Sequence, residues 1–147
     1  MSPQLEVVTE RRPRPTLDEA QQAADRQGKD SNHLWTAFGP TNVAVHRVVI
    51  AMALGDVGIA LDIGPGIDTS ALPVERRVRH AFEVANAHLR RNQQADALTQ
   101  LLQAEKVSAE QVHHHVMARQ LVVRMLRRKS GYQDQKLGAL ARRMQVL

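Results

Sequence analysis

Residues 78–111 read VRHAFEVANAHLRRNQQADALTQLLQAEKVSAEQ. The polar run Arg91-Asn92-Gln93 divides this stretch into two segments with helical periodicity. Upstream of it, Val74, Val78, Ala81, Phe82, Ala85 and Leu89 follow one another at steps of four, three, one, three and four. That spacing keeps them on one face of a helix opened by Pro73 and running to about Arg91. Downstream, Ala97, Leu98, Leu101, Leu102 and Ala104 mark the apolar side of a helix over about 94–106. Two helices joined by so short a turn must fold back on each other as an antiparallel hairpin.

The segments on either side extend this pattern. Residues 41–54, TNVAVHRVVIAMAL, carry enough β-branched residues for a strand. The run is too long for a typical strand, Pro40 opens it and Gly55-Asp56 closes it, so a helix is predicted. Being apolar nearly all round, it is expected to be the most buried helix. A shorter helix over 56–63 follows, ended by Gly64-Pro65-Gly66. The two hairpins align on Ala60 and Ala97, which lie 97 − 60 = 37 residues apart. Gly55-Asp56 and Asn92-Gln93 then occupy equivalent turns, and the loop 68–72 absorbs the extra length. Short side chains at these alanines let helices approach closely.

Towards the C-terminus, Ser108 and Gln111 predict a capping box opening a helix from 109 to about 128, broken at Ser130-Gly131. A last helix over about 134–145 carries the stripe Leu137, Leu140, Ala141 and Met144. Towards the N-terminus, Thr16 and Glu19 predict another capping box, with a helix over about 17–27 stopping at Gly28. Leu17, Ala20 and Ala24 would face the core. Trp35 and Phe38 are expected to pin the link 29–40 to the body. Residues 1–15, with Pro3, Pro13 and Pro15, read as a disordered lead-in to one helical domain over 16–147.

Composition supports an all-α reading. Aromatic residues make up 3% of the chain, so Ala, Leu and Val must build the core, which suits closely packed helices. With no cysteine there is no disulfide framework, thiol nucleophile or cysteine metal site. No run approaches the roughly 18 apolar residues of a membrane span, and the N-terminus has no apolar signal core. A cytoplasmic protein without membrane contact is expected. Residues 1–74 hold 6 Lys/Arg and 9 Asp/Glu, hence −3, while residues 75–147 hold 14 and 6, hence +8. A basic half invites a nucleic-acid reading, but Arg-rich helices with solvated faces give the same balance.

The order Val84-Ala85, then Ala97, Leu101 and Ala104, resembles a tetratricopeptide-type repeat of about 34 residues. The stretch from Phe38 to Val48, FGPTNVAVHRV, carries a more specific resemblance, together with Leu54-Gly55-Asp56, the run LPVERR over 72–77, and LLQAE over 101–105. These look like the C-terminal tetratricopeptide-like (TPR) region of actinobacterial Cro/repressor-type (XRE family) helix-turn-helix regulators, over roughly residues 17–147. The resemblance implies a short TPR-like solenoid of about six or seven helices in stacked antiparallel hairpins. In that family a DNA-binding domain precedes the repeats. Here 15 to 30 residues precede the first hairpin, so direct DNA binding by this chain is not expected.

The same resemblance implies a concave groove lined by the first helix of each hairpin. Transferred to this chain, its positions give Asn42, Val45, Val49, Met52 and Ala53 in the first hairpin, and Arg79, Phe82, Asn86, Leu89 and Arg90 in the second. A third start at Val112 gives His113, Val116, Gln120, Val123 and Arg124. Arg79, Arg90 and Arg124 would hold a carboxylate. Asn42, Asn86 and Gln120 would bond a peptide backbone, and Val49, Phe82 and Leu89 would take apolar side chains. The function expected is a regulatory or protein-interaction module, related to an effector-sensing or dimerisation domain, that binds a peptide or small ligand. The alternatives are a ligand-free self-association domain forming a homodimer, or an auxiliary protein or enzyme reusing the fold.

No enzyme and no cofactor is expected. The chain has no phosphate-binding Gly-rich loop and no serine-centred nucleophile elbow. Asp62 and Asp68 read as turn residues. His113-His114-His115 stands out, but neighbours on a helix point about 100° apart and do not readily converge on one ion. No metal site is assigned. The basic run Arg124, Arg127, Arg128 and Lys129 suits phosphates or a helix C-terminus equally.

Overall fold

Pro40 begins a helix because its ring fixes a helical φ and its missing N–H is not needed in the first turn. In the computed structural model, which describes residues 16–22, 39–128 and 134–147, that helix is the second of the eight among the described residues. The first, α1, spans 17–22. Then come α2 (Pro40–Ala53), α3 (Val57–Ile63), α4 (Val74–Arg90), α5 (Gln94–Val107), α6 (Ala109–His114), α7 (Val116–Leu126) and α8 (Gln135–Arg143). The described residues contain no strand. The expectations for residues 1–15, Ala24, Gly28, Trp35, Phe38 and Ser130-Gly131 lie outside the described residues.

The chain divides into two units between Pro40 and Thr41. In the first, α1 has the predicted capping box. The Glu19 amide donates to Thr16 Oγ1 at 3.1 Å, and the Thr16 amide donates to Glu19 Oε2 at 3.0 Å.

The second unit is a set of helical hairpins whose turns share one geometry. At the end of α2, Gly55 has φ +83°. Its amide bonds Met52 O at 3.1 Å, and the Asp56 amide bonds Ala51 O at 2.8 Å. At the end of α4, Asn92 has φ +61°, its amide bonds Leu89 O at 3.0 Å, and the Gln93 amide bonds His88 O at 2.9 Å. Each is a Schellman motif, in which a left-handed residue lets two amides satisfy the last helical carbonyls. The repeat alignment predicts these two turns as equivalents, and they are. A third instance closes α8 at Gln145, φ +58°.

Helix α4 is the central element. Phe82, Ala85 and Leu89 face a large core shared with α5, α6, α7 and α8, where Leu101, Leu121, Met125, Leu137 and Leu140 are almost wholly excluded from solvent. From another face of α4, Ala87 joins a smaller core with Val48, Ala51, Val57 and Ala60 of α2 and α3. Eight of the 17 residues of α4 are buried, against five of the 14 in α2. The expectation that α2 is the most buried helix is therefore corrected. Ile50 and Leu54, at 39% and 66% exposure, leave one side of its C-terminal half uncovered.

The predicted helix over 109–128 is two helices. The backbone leaves the helical region at His115, φ −76° and ψ 129°. No proline or glycine causes this. The His115 ring takes over as cap, its Nδ1 accepting from the Met117 amide at 3.1 Å. That leaves His113 O without the amide a continuous helix would offer, and Arg119 Nη1 donates to it at 3.1 Å. The ring also packs on Phe82 with centroids 4.9 Å apart. Side chains thus replace what the backbone gives up. Ser108 supplies half of its predicted box, accepting from the Gln111 amide at 3.3 Å, while its own amide bonds Ala104 O instead.

A candidate groove along the seventh helix

The expected groove residues separate into two groups. Phe82 and Leu89 are fully buried and belong to the core. Asn42 is 2% exposed, with Oδ1 accepting from Arg76 Nη1 at 2.7 Å, so it ties α2 to α4. These three cannot line an open groove. Val49 is half-buried on α2, distant in sequence from the residues that do gather. The reason lies in α4. Its partners cover so much of its surface that positions which face a ligand in an open stack face other helices here.

Asn86, Gln120 and Arg124 remain available. Arg124 Nη1 donates to Asn86 Oδ1 at 3.0 Å, bridging α7 to α4. Arg79 and Arg90 are exposed on α4, and Arg79 pairs with Glu83 one turn on, at 3.2 Å. Around Arg124, α7 and the C-terminal tail form a shallow groove of about 440 Å³. Val116, Val123 and Val146 supply its apolar surface, and Arg119, Gln120, Arg124 and Arg127 its polar rim. Val116 is 66% exposed. Among the described residues, no acidic side chain lines the groove. Arg119 is held in place, with Nη1 donating to Met144 O at 2.6 Å.

Arg119, Arg127 and Val146 are new to the site. The first two recur with Val116 and Val123 at helical spacing, a signal present in the sequence once α7 is known to start at Val116. Val146 carries no such signal, since a Schellman turn after α8 brings it there.

The other marked side chains hold structure together. Arg128 donates to Leu89 O at 2.6 Å and to Asn92 Oδ1, so it caps α4 and is not a spare phosphate ligand. The three histidines diverge. His113 Nε2 meets Glu105 Oε2 at 2.6 Å, His114 is exposed, and His115 caps α7. Arg143 grips the same Glu105 with two bonds of 2.8 Å. The Arg143 guanidinium, with His113 as a lesser influence, holds the Glu105 carboxyl below its ordinary range despite some burial. Burial, then the charge of Arg79, lowers the His115 pKa. Among the described residues, no three histidine or acidic side chains gather as a metal site, and no helix is long and apolar enough to cross a membrane.

Compared with known proteins, the chain matches no protein-family model, no curated protein and no solved structure.

Proposed function

We propose that this protein is an interaction module that takes an acidic, partly apolar peptide segment of a partner along α7. The observation that carries this reading is the α7 groove. Three valines offer apolar contact beside Arg124 and Arg127, with no acidic side chain among the described lining residues to oppose an acidic partner. Arginine suits such a rim because its planar fork matches a carboxylate. The +8 balance of residues 75–147 would speed encounter with an acidic partner. The resemblance to the repeat region of XRE-type regulators supports an effector-sensing role for the same groove.

Titration of a fluorescein-labelled peptide alternating glutamate and leucine tests this. Saturable binding that weakens with salt is expected. The double variant R124E/R127E should weaken it about tenfold or more, and V116D should weaken it through the apolar floor. Equal binding by R124E/R127E and the unsubstituted protein would refute the reading.

Self-association through the α2–α3 hairpin is a second reading, favoured by one observation. Ile50, Leu54 and Ile59 are 39%, 66% and 39% exposed on that hairpin. Analytical ultracentrifugation separates the two. A dimer dissociated by L54D would support it, and a concentration-independent monomer would remove it.

A further inference from the structure

The groove along α7 offers a visitor side chains and almost no backbone. The Arg119 amide bonds His115 O at 3.0 Å and the Arg127 amide bonds Val123 O at 3.1 Å, and the amides between them serve the helix in the same way. On the other wall the Val146 amide is spent on Ala141 O at 3.0 Å, and Met144 O is taken by Arg119. An extended peptide needs a sheet edge, or another row of free donors and acceptors, for its own backbone. Of the described lining side chains only Gln120 both donates and accepts. A strand laid here would bury amides and carbonyls without partners. A helix brings its backbone bonds with it.

The side chains also sit at helical spacing. Val116, Gln120, Val123 and Arg127 follow at steps of four, three and four, which keeps them on one face of α7. Ala118, Leu121, Val122 and Met125, buried in the core, occupy the opposite face. Arg119, bonded to Met144 O, and Arg124, bonded to Asn86, flank the stripe on its two sides. With 11 residues in α7, the stripe is about 16 Å long. That length matches about three turns of a second helix but only about five residues of a strand.

The charges run in one direction along it. Arg124 lies in the last turn of α7 and Arg127 follows it, whereas Val116 opens the helix. Carboxylates are most favourable in the first turn of a helix, and the positive N-terminal end of one helix attracts the negative C-terminal end of another. A guest with acidic first turns is therefore best placed antiparallel to α7, with those turns on Arg124 and Arg127 and its apolar residues on Val116 and Val123.

We propose that the α7 groove binds one amphipathic helix of a partner protein, antiparallel to α7, with glutamate or aspartate in its first turns and aliphatic residues about two turns apart. This names the form of the peptide segment in the reading above and rests on that reading. A nucleic-acid backbone would meet the same arginines but supplies nothing apolar for Val116, which is 66% exposed. A second copy of the chain fits less well, because α2, the helix that exposes Ile50, carries no acidic residue.

Two labelled peptides of identical composition, built from alanine, leucine and glutamate, test this. In the first, leucines recur every three or four residues and the glutamates fill the first half; in the second, leucine and glutamate alternate. By fluorescence anisotropy the first should bind about tenfold more tightly or better, and a proline at its centre should abolish the difference. Its helicity by circular dichroism should rise on binding. A nitroxide on its first residue should broaden the amide signal of Arg127, and one on its last residue that of Val116. R127E and V116D should each weaken binding, with thermal unfolding showing both variants folded, and the proline peptide makes the same test on the unsubstituted protein. Equal affinity of the two peptides, lost for both in R124E/R127E, would overturn the helix and leave the acidic-peptide reading standing. Binding by neither peptide would remove both. Broadening in the reverse order would overturn the antiparallel placement. A DNA duplex that displaces the helix at equal or lower concentration would assign the groove to nucleic acid, and a dimer that R127E and V116D dissociate would assign it to a second copy. Either result would overturn the proposal.

Discussion

Gly64 and Gly55 need to be glycine for opposite reasons, and substitution separates them. Gly64 has an ordinary helical φ of −61° but no space, since a β-carbon would sit 2.5 Å from Ala60 O and 3.0 Å from Val84 Cγ2. Gly55 has open space but a φ of +83°. G64A should therefore destabilise by about 2 kcal/mol through overpacking, and G55A by about 1 kcal/mol through backbone strain alone. Urea unfolding checks both. G55N supplies the discriminating comparison. Asparagine tolerates the left-handed region, as Asn92 does at the equivalent turn, so G55N should recover part of the G55A loss. A G55N protein no more stable than G55A would contradict the strain account. Residue identity made these turns legible from sequence, because Gly and Asn before a polar residue are chemical signals. The burial of Phe82 and Leu89 was not legible in that way. An apolar residue at helical spacing looks the same whether its neighbour is a ligand or another helix, and only the packing of α7 on α4 decides.

Element ends are legible in the sequence where a proline, glycine or capping residue marks them, and hidden where a side chain breaks a helix from within. Pro40, Pro73 and the two hairpin turns set boundaries within a residue or two of expectation. The α6–α7 break has no such mark. It rests on three cooperating contacts: the Met117 amide to His115 Nδ1 at 3.1 Å, Arg119 to His113 O at 3.1 Å, and the His115 ring on Phe82 at 4.9 Å. None is visible as a local pattern, and together they explain why a continuous periodicity over 109–128 fails. H115A should cost about 1 kcal/mol or more, combining a lost N-cap with a lost ring contact. H115N, which can still cap, should retain part of that stability. Hydrogen exchange at the Met117 amide localises the effect, and protection unchanged in H115A would show that the ring does not hold the break.

Across the whole molecule, acid should weaken the fold in two stages. His80 and His115 both have pKa values lowered from 6.5, chiefly by burial. Above that value folded and unfolded chains are alike neutral at these rings, so nothing is lost. As pH falls from 6.5 through the lower folded values, the unfolded chain binds protons that the folded chain refuses, and stability declines. Protonation also removes the Nδ1 lone pair that caps α7. The second stage belongs chiefly to Glu105, lowered from 4.5 mainly by Arg143, whose two hydrogen bonds to the carboxylate join α8 to α5, with a further part below 3.8 from Asp68, lowered by the hydrogen bonds it takes from Ser70. The Glu105 contribution is fully present above 4.5 and is lost as pH falls through the lower folded value. Urea midpoints measured from pH 8 to pH 3 should therefore fall first below about 6.5 and again below about 4.5. The stages are separable because their groups sit in different places. H80Q should flatten the upper stage, leaving the part due to His115, whereas E105Q should flatten the lower stage at the cost of about 1 kcal/mol near neutral pH. High salt adds a control. The lower stage depends on an ion pair whose Arg143 side chain is 45% exposed, so salt should shrink it. The upper stage depends mainly on burial and should persist. An upper stage that salt abolishes while H80Q and H115N leave it unchanged would place its origin in surface charge, and the burial of His80 and His115 would not account for it.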